Sequence, residues 1–162
     1  MTHDELCIRA ARWLKSQNCG VVFHDKFQPC TPNGELPDAM GFRHGTSILI
    51  ECKSSRGDFL SDKKKRFRVK PELGMGDWRF YMCEPEIINT DDLPDGWGLL
   101  WVKGKQVKKV HGIPSNAQWF TKHPFIGCKM SEMSMMYSAL RRMEMHGCLD
   151  KIYEKIKPPE GE

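Results

Sequence analysis

Residues 46–53 read TSILIECK, an apolar and β-branched run that ends with a carboxylate and a lysine two residues apart. Such a run predicts a buried strand, because branched side chains fit a pleated, half-buried surface. Side chains alternate along a strand, so Glu51 and Lys53 point the same way, roughly 7 Å apart at their backbones by the strand rise. Charged groups are costly to bury unless they are paired or bound to something. The end of this strand is therefore a candidate functional site.

A second carboxylate, Asp38, lies on the segment just before this strand. Asp38 follows Pro37 and opens the segment DAMGFRH, which Gly45 separates from TSILIECK, so a β-hairpin is predicted. If the two strands pair around Gly45, Asp38 lies close to Glu51, although the sequence does not define the register. Two carboxylates suit Mg²⁺ or Mn²⁺, and a lysine beside them holds an attacking water or stabilises developing negative charge. The pattern predicts metal-assisted phosphodiester hydrolysis.

The remaining periodicities predict a mixed β-sheet flanked by helices, an α/β fold. The predicted helices are 2–18, a helix that starts near Asp58 with Phe59, Leu60 and Phe67 inward, a methionine-rich helix at 131–146, and a short one within 148–157. The methionine-rich helix carries an apolar stripe, expected to pack inward as core, of Met133, Met136 or Tyr137, Leu140 and Met143. The predicted strands are 21–27, the two hairpin strands, a half-buried strand at 78–83, a buried strand at 98–102 and a lysine-guarded edge strand at 105–110.

The order of these motifs resembles a known family. PD at 37–38 followed by ECK at 51–53 on an apolar strand resembles the PD-(D/E)xK nuclease superfamily, whose fold is restriction-endonuclease-like. ECKSSRGDFLSDKK, WRFYMCEP and LPDGWGLLWV are similar to its MmcB-like, DNA-repair-associated branch. The resemblance covers residues 1–112 and implies a core order αβββαβ. It also implies a metal-dependent deoxyribonuclease, without separating DNA repair from phage, mobile-element or defence biology.

The resemblance also assigns roles to particular residues. It implies that Asp38 and Glu51 ligate Mg²⁺ or Mn²⁺, that the carbonyl of Cys52 adds a third oxygen, and that Lys53 is the catalytic lysine. Many members place another acid in the first helix, where Glu5 falls. Thr2 and Glu5 also match a helix capping box, so for Glu5 a structural role stands beside the catalytic one.

A basic cluster follows the signature. The stretch KKKRFRVK at 63–70 carries six cations in eight residues, which suits the phosphates of nucleic acid, although a solvated helix face is the ordinary alternative. Asp62 and Arg66 are spaced to pair with each other along a helix. Asp58 is expected to cap that helix. The predicted DNA-binding residues are Arg56, Lys63, Lys64, Lys65 and Arg68.

Two other functions compete with a nuclease. The first is a non-catalytic nucleic-acid-binding module that keeps the nuclease fold. The second is a zinc-stabilised interaction domain, with Cys19, His24 and Cys30 as ligands, although their spacing matches no compact zinc knuckle. These alternatives predict DNA binding without cleavage, or stoichiometric zinc whose removal unfolds the protein.

Length and composition limit the architecture. The chain has 162 residues, 40% of them hydrophobic, and a formal net charge of +4, which suits one domain with its own core. Seven scattered cysteines and no apolar leader or span predict a reduced, cytoplasmic protein without membrane attachment. Residues 113–157 are expected to be an extension packed on the same domain, with 158–162 as a frayed tail. The 131–146 helix is a candidate surface for a protein partner or self-association.

Overall fold

The computed structural model describes residues 1–157, which form a six-stranded mixed β-sheet with helices on both faces. This confirms the predicted α/β class with a mixed sheet. The tail at 158–162 lies outside the described residues. The helices are α1 (His3–Ser16), α2 (Arg56–Asp62), α3 (Arg66–Val69), α4 (Gln118–Thr121) and α5 (Lys129–Met145). The strands are β1 (Val21–His24), β2 (Ala39–Arg43), β3 (Thr46–Lys53), β4 (Trp78–Cys83), β5 (Gly98–Lys103) and β6 (Gln106–His111). Short 3₁₀ turns span Pro71–Leu73, Thr90–Asp92 and Leu149–Tyr153.

The strands lie side by side in sequence order, β1 to β6. Strand β2 is antiparallel to both β1 and β3, whereas β3, β4 and β5 run parallel, and β6 closes the sheet antiparallel to β5. Two parallel neighbours require a crossover between them, and α2 and α3 provide it between β3 and β4. The carboxyl end of β3 therefore lies where the sheet changes from antiparallel to parallel pairing.

The hairpin predicted around Gly45 is confirmed. Gly45 has a φ of +78°, a left-handed conformation that glycine adopts without the steric cost a Cβ brings. Strand β2 pairs with β3 from Arg43 opposite Thr46 to Ala39 opposite Ile50. One residue further along the same register, Asp38 comes opposite Glu51.

The two faces of the sheet carry separate apolar cores. The α1 side chains Leu6, Ala10 and Leu14 pack on one face against Ile48, Ile50 and Cys52. Leu49 points to the other face, where the core contains Phe59 of α2, Tyr81 of β4 and Met135 of α5. Because side chains alternate along β3, Glu51 and Lys53 share this second face with Leu49.

The helical crossover differs from the prediction in its start, its cap and its length. Helix α2 begins at Arg56, and its cap is Ser55, whose Oγ accepts a hydrogen bond from the backbone N of Asp58 at 3.2 Å. The prediction of Asp58 as the cap was wrong. The single predicted helix is broken into α2 and α3, so its inward face is not continuous. Phe59 is fully buried, as predicted, but Leu60 is 48% exposed.

The structure refines two strand predictions and confirms a third. Strand β1 ends at His24, short of the predicted residue 27. Strand β4 is buried along its whole length rather than on one face, because it is central in the sheet and both faces are covered. Strand β6 occupies the sheet edge, as its lysines predicted.

The segment after residue 112 packs on the sheet through a few anchors. Trp119, from the short helix α4, is buried in the α1-side core, and its carbonyl accepts a hydrogen bond from the Trp78 indole at 3.0 Å. In α5 the predicted inward stripe was wrong, because its members are largely exposed while Met135 is the buried methionine. The exposed members of that stripe are Met133, Tyr137, Leu140 and Met143.

Candidate functional site

Glu51 and Lys53 meet at the buried end of β3. Their side chains are 3% and 4% exposed, and Lys53 Nζ lies 3.0 Å from Glu51 Oε2. Burial opposes the charge on Lys53, but the nearby carboxylates, Glu51 foremost, outweigh it and raise the pKa of this lysine. Lys53 therefore remains a cation throughout the physiological pH range.

Asp38 completes the predicted trio from the neighbouring strand. Its Oδ2 accepts a hydrogen bond from the backbone N of Cys52 at 2.8 Å, which ties the start of β2 to the end of β3. Burial, together with the negative charge of Glu51, raises the pKa of Asp38 to about 6. The two carboxylates are thus close enough to repel each other, as the hairpin prediction required.

Arg68 lies inside this site, which contradicts its predicted role on DNA phosphates. Its side chain is 2% exposed and contacts three carboxylates. It forms an ion pair with Glu35, lies 3.1 Å from Glu51 Oε1 through Nη2, and donates from Nε to Asp62 Oδ2 at 2.9 Å. Although burial opposes its charge, these carboxylates raise the pKa of Arg68. Arg68 therefore fixes the orientation of Glu51 from the side opposite Lys53.

Asp62, at the end of α2, contacts Lys53 and Lys65 in addition to Arg68. Its carboxylate lies 3.4 Å from Lys53 Nζ and 2.8 Å from Lys65 Nζ, and it accepts a hydrogen bond from the Tyr81 hydroxyl at 2.9 Å. Burial alone would raise the pKa of Asp62, but Arg68 and Lys53 lower it well below its usual range. The predicted pairing of Asp62 with Arg66 was wrong, because α3 turns Arg68 inward and leaves Arg66 exposed.

Glu35 is a member of the site that the sequence analysis missed. It is 1% exposed and accepts a hydrogen bond from the backbone N of Met75 at 2.7 Å, in addition to its ion pair with Arg68. Burial outweighs the charge of Arg68 and raises the pKa of Glu35. Its sequence context is a loop rich in proline and glycine, and such a context carries no periodic signal for a buried acid.

Glu5 has a structural role at the start of α1. Thr2 and Glu5 form the complete capping box: Glu5 N donates to Thr2 Oγ1 at 3.2 Å, and Thr2 N donates to Glu5 Oε2 at 2.8 Å. Within residues 1–157 no hydrogen bond or ion pair joins Glu5 to Asp38, Glu51 or Lys53. The geometry supports the capping alternative rather than a catalytic acid.

The predicted DNA-binding residues outside the buried site are exposed. Arg56 donates from Nη2 to Asp92 Oδ1 at 2.6 Å, so it fastens α2 to the 3₁₀ turn Thr90–Asp92. Lys63 donates to the Asp92 carbonyl at 3.2 Å, and Lys65 is 48% exposed beside Asp62. These side chains and Lys64 form a basic rim next to the buried site. No structural feature tests the predicted role of the Cys52 carbonyl, which stays a prediction.

The side chains that could ligate a metal do not form the sets that the sequence predicted, neither the carboxylate pair nor the zinc triad. In the part of the chain that the structure describes, two sets of three ligand atoms lie within 4.8 Å of one another: His3, Cys7 and Asp38, and His3, Asp4 and Asp25. Asp38 was predicted as a ligand, whereas Glu51 belongs to neither set. The zinc triad considered from the sequence is also in neither set; its members are Cys19, His24 and Cys30.

Comparisons with known proteins leave the function open. No family profile matches the chain. A putative potassium transport system protein, Kup 1 of Lactococcus lactis subsp. cremoris (strain MG1363), is 26% identical over 92 residues. That match covers 57% of this chain and 13% of the transporter, so the chain spans far less than two thirds of this relative. In the described residues no helix is long and apolar enough to cross a membrane.

One solved structure is similar along nearly the whole chain. The SPO1766 protein of unknown function from Silicibacter pomeroyi is 25% identical, with a TM-score of 0.58. The alignment covers 98% of this chain and 99% of that protein. This similarity extends over the sheet, the flanking helices and the segment after residue 112, and it assigns no activity.

Proposed function

We propose that this chain is a metal-dependent nuclease that hydrolyses phosphodiester bonds in DNA. In this proposal Asp38 and Glu51 hold Mg²⁺ or Mn²⁺, and Lys53 assists the attacking water. The observation that carries it is the β2–β3 register, which brings Asp38 opposite Glu51 with Lys53 Nζ 3.0 Å from Glu51. The resemblance of PD and ECK to the PD-(D/E)xK superfamily adds the expectation of a restriction-endonuclease-like fold.

The donor set fits a hard divalent cation. Asp38 and Glu51 are carboxylates that repel each other, and this repulsion contributes to the raised pKa of Asp38. Both Glu51 oxygens have a cationic neighbour, yet a carboxylate oxygen has two lone pairs and accepts a hydrogen bond while it ligates a metal. When bound, such an ion would lower the pKa of a ligated water and neutralise charge on the phosphate.

The protein side chains would contribute orientation and charge. Lys53 stays protonated, so it acts as a donor that holds the water or stabilises developing negative charge, and not as a general base. Arg68 and Lys53 hold Glu51 from two sides, which limits its rotation. The basic rim beside the site would bind the DNA backbone through Lys63 and Lys64.

The location in the sheet also supports a substrate site. In open α/β sheets, ligands bind beyond the carboxyl ends of the parallel strands, and β3 is one of the parallel strands of this sheet. The carboxyl end of β3 lies between an antiparallel and a parallel neighbour. Strand β3 ends with the charged residues of the site.

The test is cleavage of supercoiled, linear, single-stranded and branched DNA in Mg²⁺, Mn²⁺ or EDTA. We expect metal-dependent cleavage by the parent, and at least a hundredfold loss in Glu51→Gln and in Lys53→Met. The matched control is Glu72→Gln, an exposed glutamate in the turn after α3, which should cleave like the parent. Equal cleavage by Glu51→Gln and the control would assign the activity to a contaminant and refute the proposal.

A binding module without catalysis is the second candidate. The observation that favours it is burial, because Glu51 and Lys53 are 3% and 4% exposed and each Glu51 oxygen already has a cation beside it. This candidate predicts DNA binding that is equal in Mg²⁺ and EDTA and equal in the parent and Glu51→Gln, with no cleavage of any substrate. Binding should weaken in Lys63→Glu, with a reduced dependence on salt concentration.

A further inference from the structure

A set of softer ligands lies beside the carboxylate pair, at the start of α1. His3 and Cys7 are four residues apart on this helix, so their side chains share one face. That face meets the start of β2, where His3 Nε2 lies 3.2 Å from Asp38 Oδ1. Cys7 Sγ lies 3.8 Å from the same His3 nitrogen. The helix and the strand thus bring a thiol, an imidazole and a carboxylate together.

We propose that His3, Cys7 and Asp38 form a binding site for a transition-metal ion of the Zn²⁺ class. This proposal goes beyond the proposed nuclease function and does not depend on it. Thiol and imidazole donors select Zn²⁺ and similar ions over Mg²⁺ and Mn²⁺. With the thiol ionised on binding, one thiolate and one carboxylate balance the charge of a divalent ion.

The separations between donor atoms match those of a metal site. Zinc–ligand bonds of about 2.3 Å to sulfur and about 2.0 Å to nitrogen or oxygen give tetrahedral edges of about 3.5 Å between S and N and about 3.3 Å between N and O. The corresponding distances here are 3.8 Å and 3.2 Å. Cys7 Sγ also lies 3.6 Å from His3 Nδ1, so the sulfur lies over the imidazole, and this partly exposed ring has to rotate for Nε2 and Sγ to ligate one ion.

The surroundings leave one side of this site open. Cys7 is fully buried and Asp38 has 15% of its side chain exposed, whereas the His3 side chain is 40% exposed. Three protein ligands with an open fourth position are typical of zinc sites that bind water or substrate. The other imidazole nitrogen of His3 is 4.0 Å from Asp4 Oδ1, which is beyond hydrogen-bond distance.

Cobalt binding tests the site, because a cysteine thiolate bound to Co²⁺ gives an intense charge-transfer absorption that oxygen and nitrogen ligands do not give. The experiment titrates Co²⁺ into reduced, untagged full-length protein and then displaces it with Zn²⁺. We expect saturable, stoichiometric binding with the thiolate band in the parent. The band should disappear in Cys7→Ser, and affinity should fall at least tenfold in His3→Gln, an exposed position whose substitution leaves the core intact.

Matched controls separate this site from its neighbours. Cys30→Ser, at an exposed cysteine, and Glu51→Gln should both keep the band. If Glu51→Gln loses DNA cleavage but keeps the thiolate band, both proposals are supported. If the parent cleaves DNA but shows no thiolate band, the zinc-class site alone is overturned. Retention of the band in Cys7→Ser also overturns it. Loss of binding in Asp25→Asn would do so as well, because the ion would then belong to the set of His3, Asp4 and Asp25.

Discussion

Replacing Arg68 with methionine tests whether the buried ion cluster stabilises the fold. Arg68 contacts three carboxylates at 2% side-chain exposure, and methionine keeps most of its volume without its charge. Lys53 remains beside Glu51 and Asp62, but Glu35 would lose its ion-pair partner while staying buried. Removing one partner of a buried pair costs about 3–5 kcal/mol, so we expect a loss of that size in the free energy of unfolding at pH 7.

Equilibrium unfolding in urea, followed by circular dichroism, measures this loss. The matched control is Arg66→Met, because Arg66 is exposed on the same short helix and should change stability by no more than about 0.5 kcal/mol. Arg68 lowers the folded-state pKa of both Glu35 and Asp62, so its removal raises both pKa values. A carboxyl group with a raised folded-state pKa destabilises the fold as the pH rises. The loss should therefore be largest at neutral pH and shrink in acid, and a loss below about 1 kcal/mol at pH 7 would refute the reasoning.

Three further perturbations test individual contacts by urea unfolding. In EDTA, Asp38→Asn should stabilise the protein by on the order of 2 kcal/mol at pH 8 and have little effect below pH 4. The reason is that a carboxyl group whose folded-state pKa is raised to about 6 destabilises the fold as the pH rises through that value. Equal effects at both pH values would contradict this reasoning. Thr2→Ala should cost about 1 kcal/mol through loss of the helix cap, and an unchanged midpoint would show that the cap is dispensable. Gly98→Ala should cost about 2 kcal/mol or more, since the new Cβ would lie 2.2 Å from the Phe80 ring, whereas Gly57→Ala, with open space around it on a helix, should be neutral or stabilising.

The elements with strong periodicity could be predicted from the sequence. The hairpin, the buried strand β3 and the edge strand β6 follow from alternation, from Gly45 and from lysines on an exposed strand. The proximity of Asp38 and Glu51 follows from the same hairpin, once the register is known. Local pattern and turn chemistry therefore account for the part of the site that lies on adjacent strands.

The rest of the site depends on long-range packing that no local pattern specifies. The basic run predicted Arg68 on the surface. The chain is instead broken between α2 and α3, and the Arg68 side chain is buried; the sequence does not indicate this break. Glu35 comes from a loop, and its burial depends on contact with Met75, forty residues later in the chain. Similarly, α5 buries Met135 and exposes its apolar stripe, and helical spacing alone does not indicate which face of the helix meets the sheet.

The charge balance of the cluster indicates where a cation fits. Four acids, Glu35, Asp38, Glu51 and Asp62, face three cations, Lys53, Lys65 and Arg68. Arg68 and the lysines contact three of these acids within 4 Å, whereas among residues 1–157 Asp38 has only His3 that close. The excess negative charge is therefore at Asp38, the residue that the hard-metal and the zinc-class proposals share. An ion on the Glu51 side would complete a carboxylate site, and one on the Cys7 side a thiolate site, so metal preference in solution distinguishes the two uses of the same aspartate.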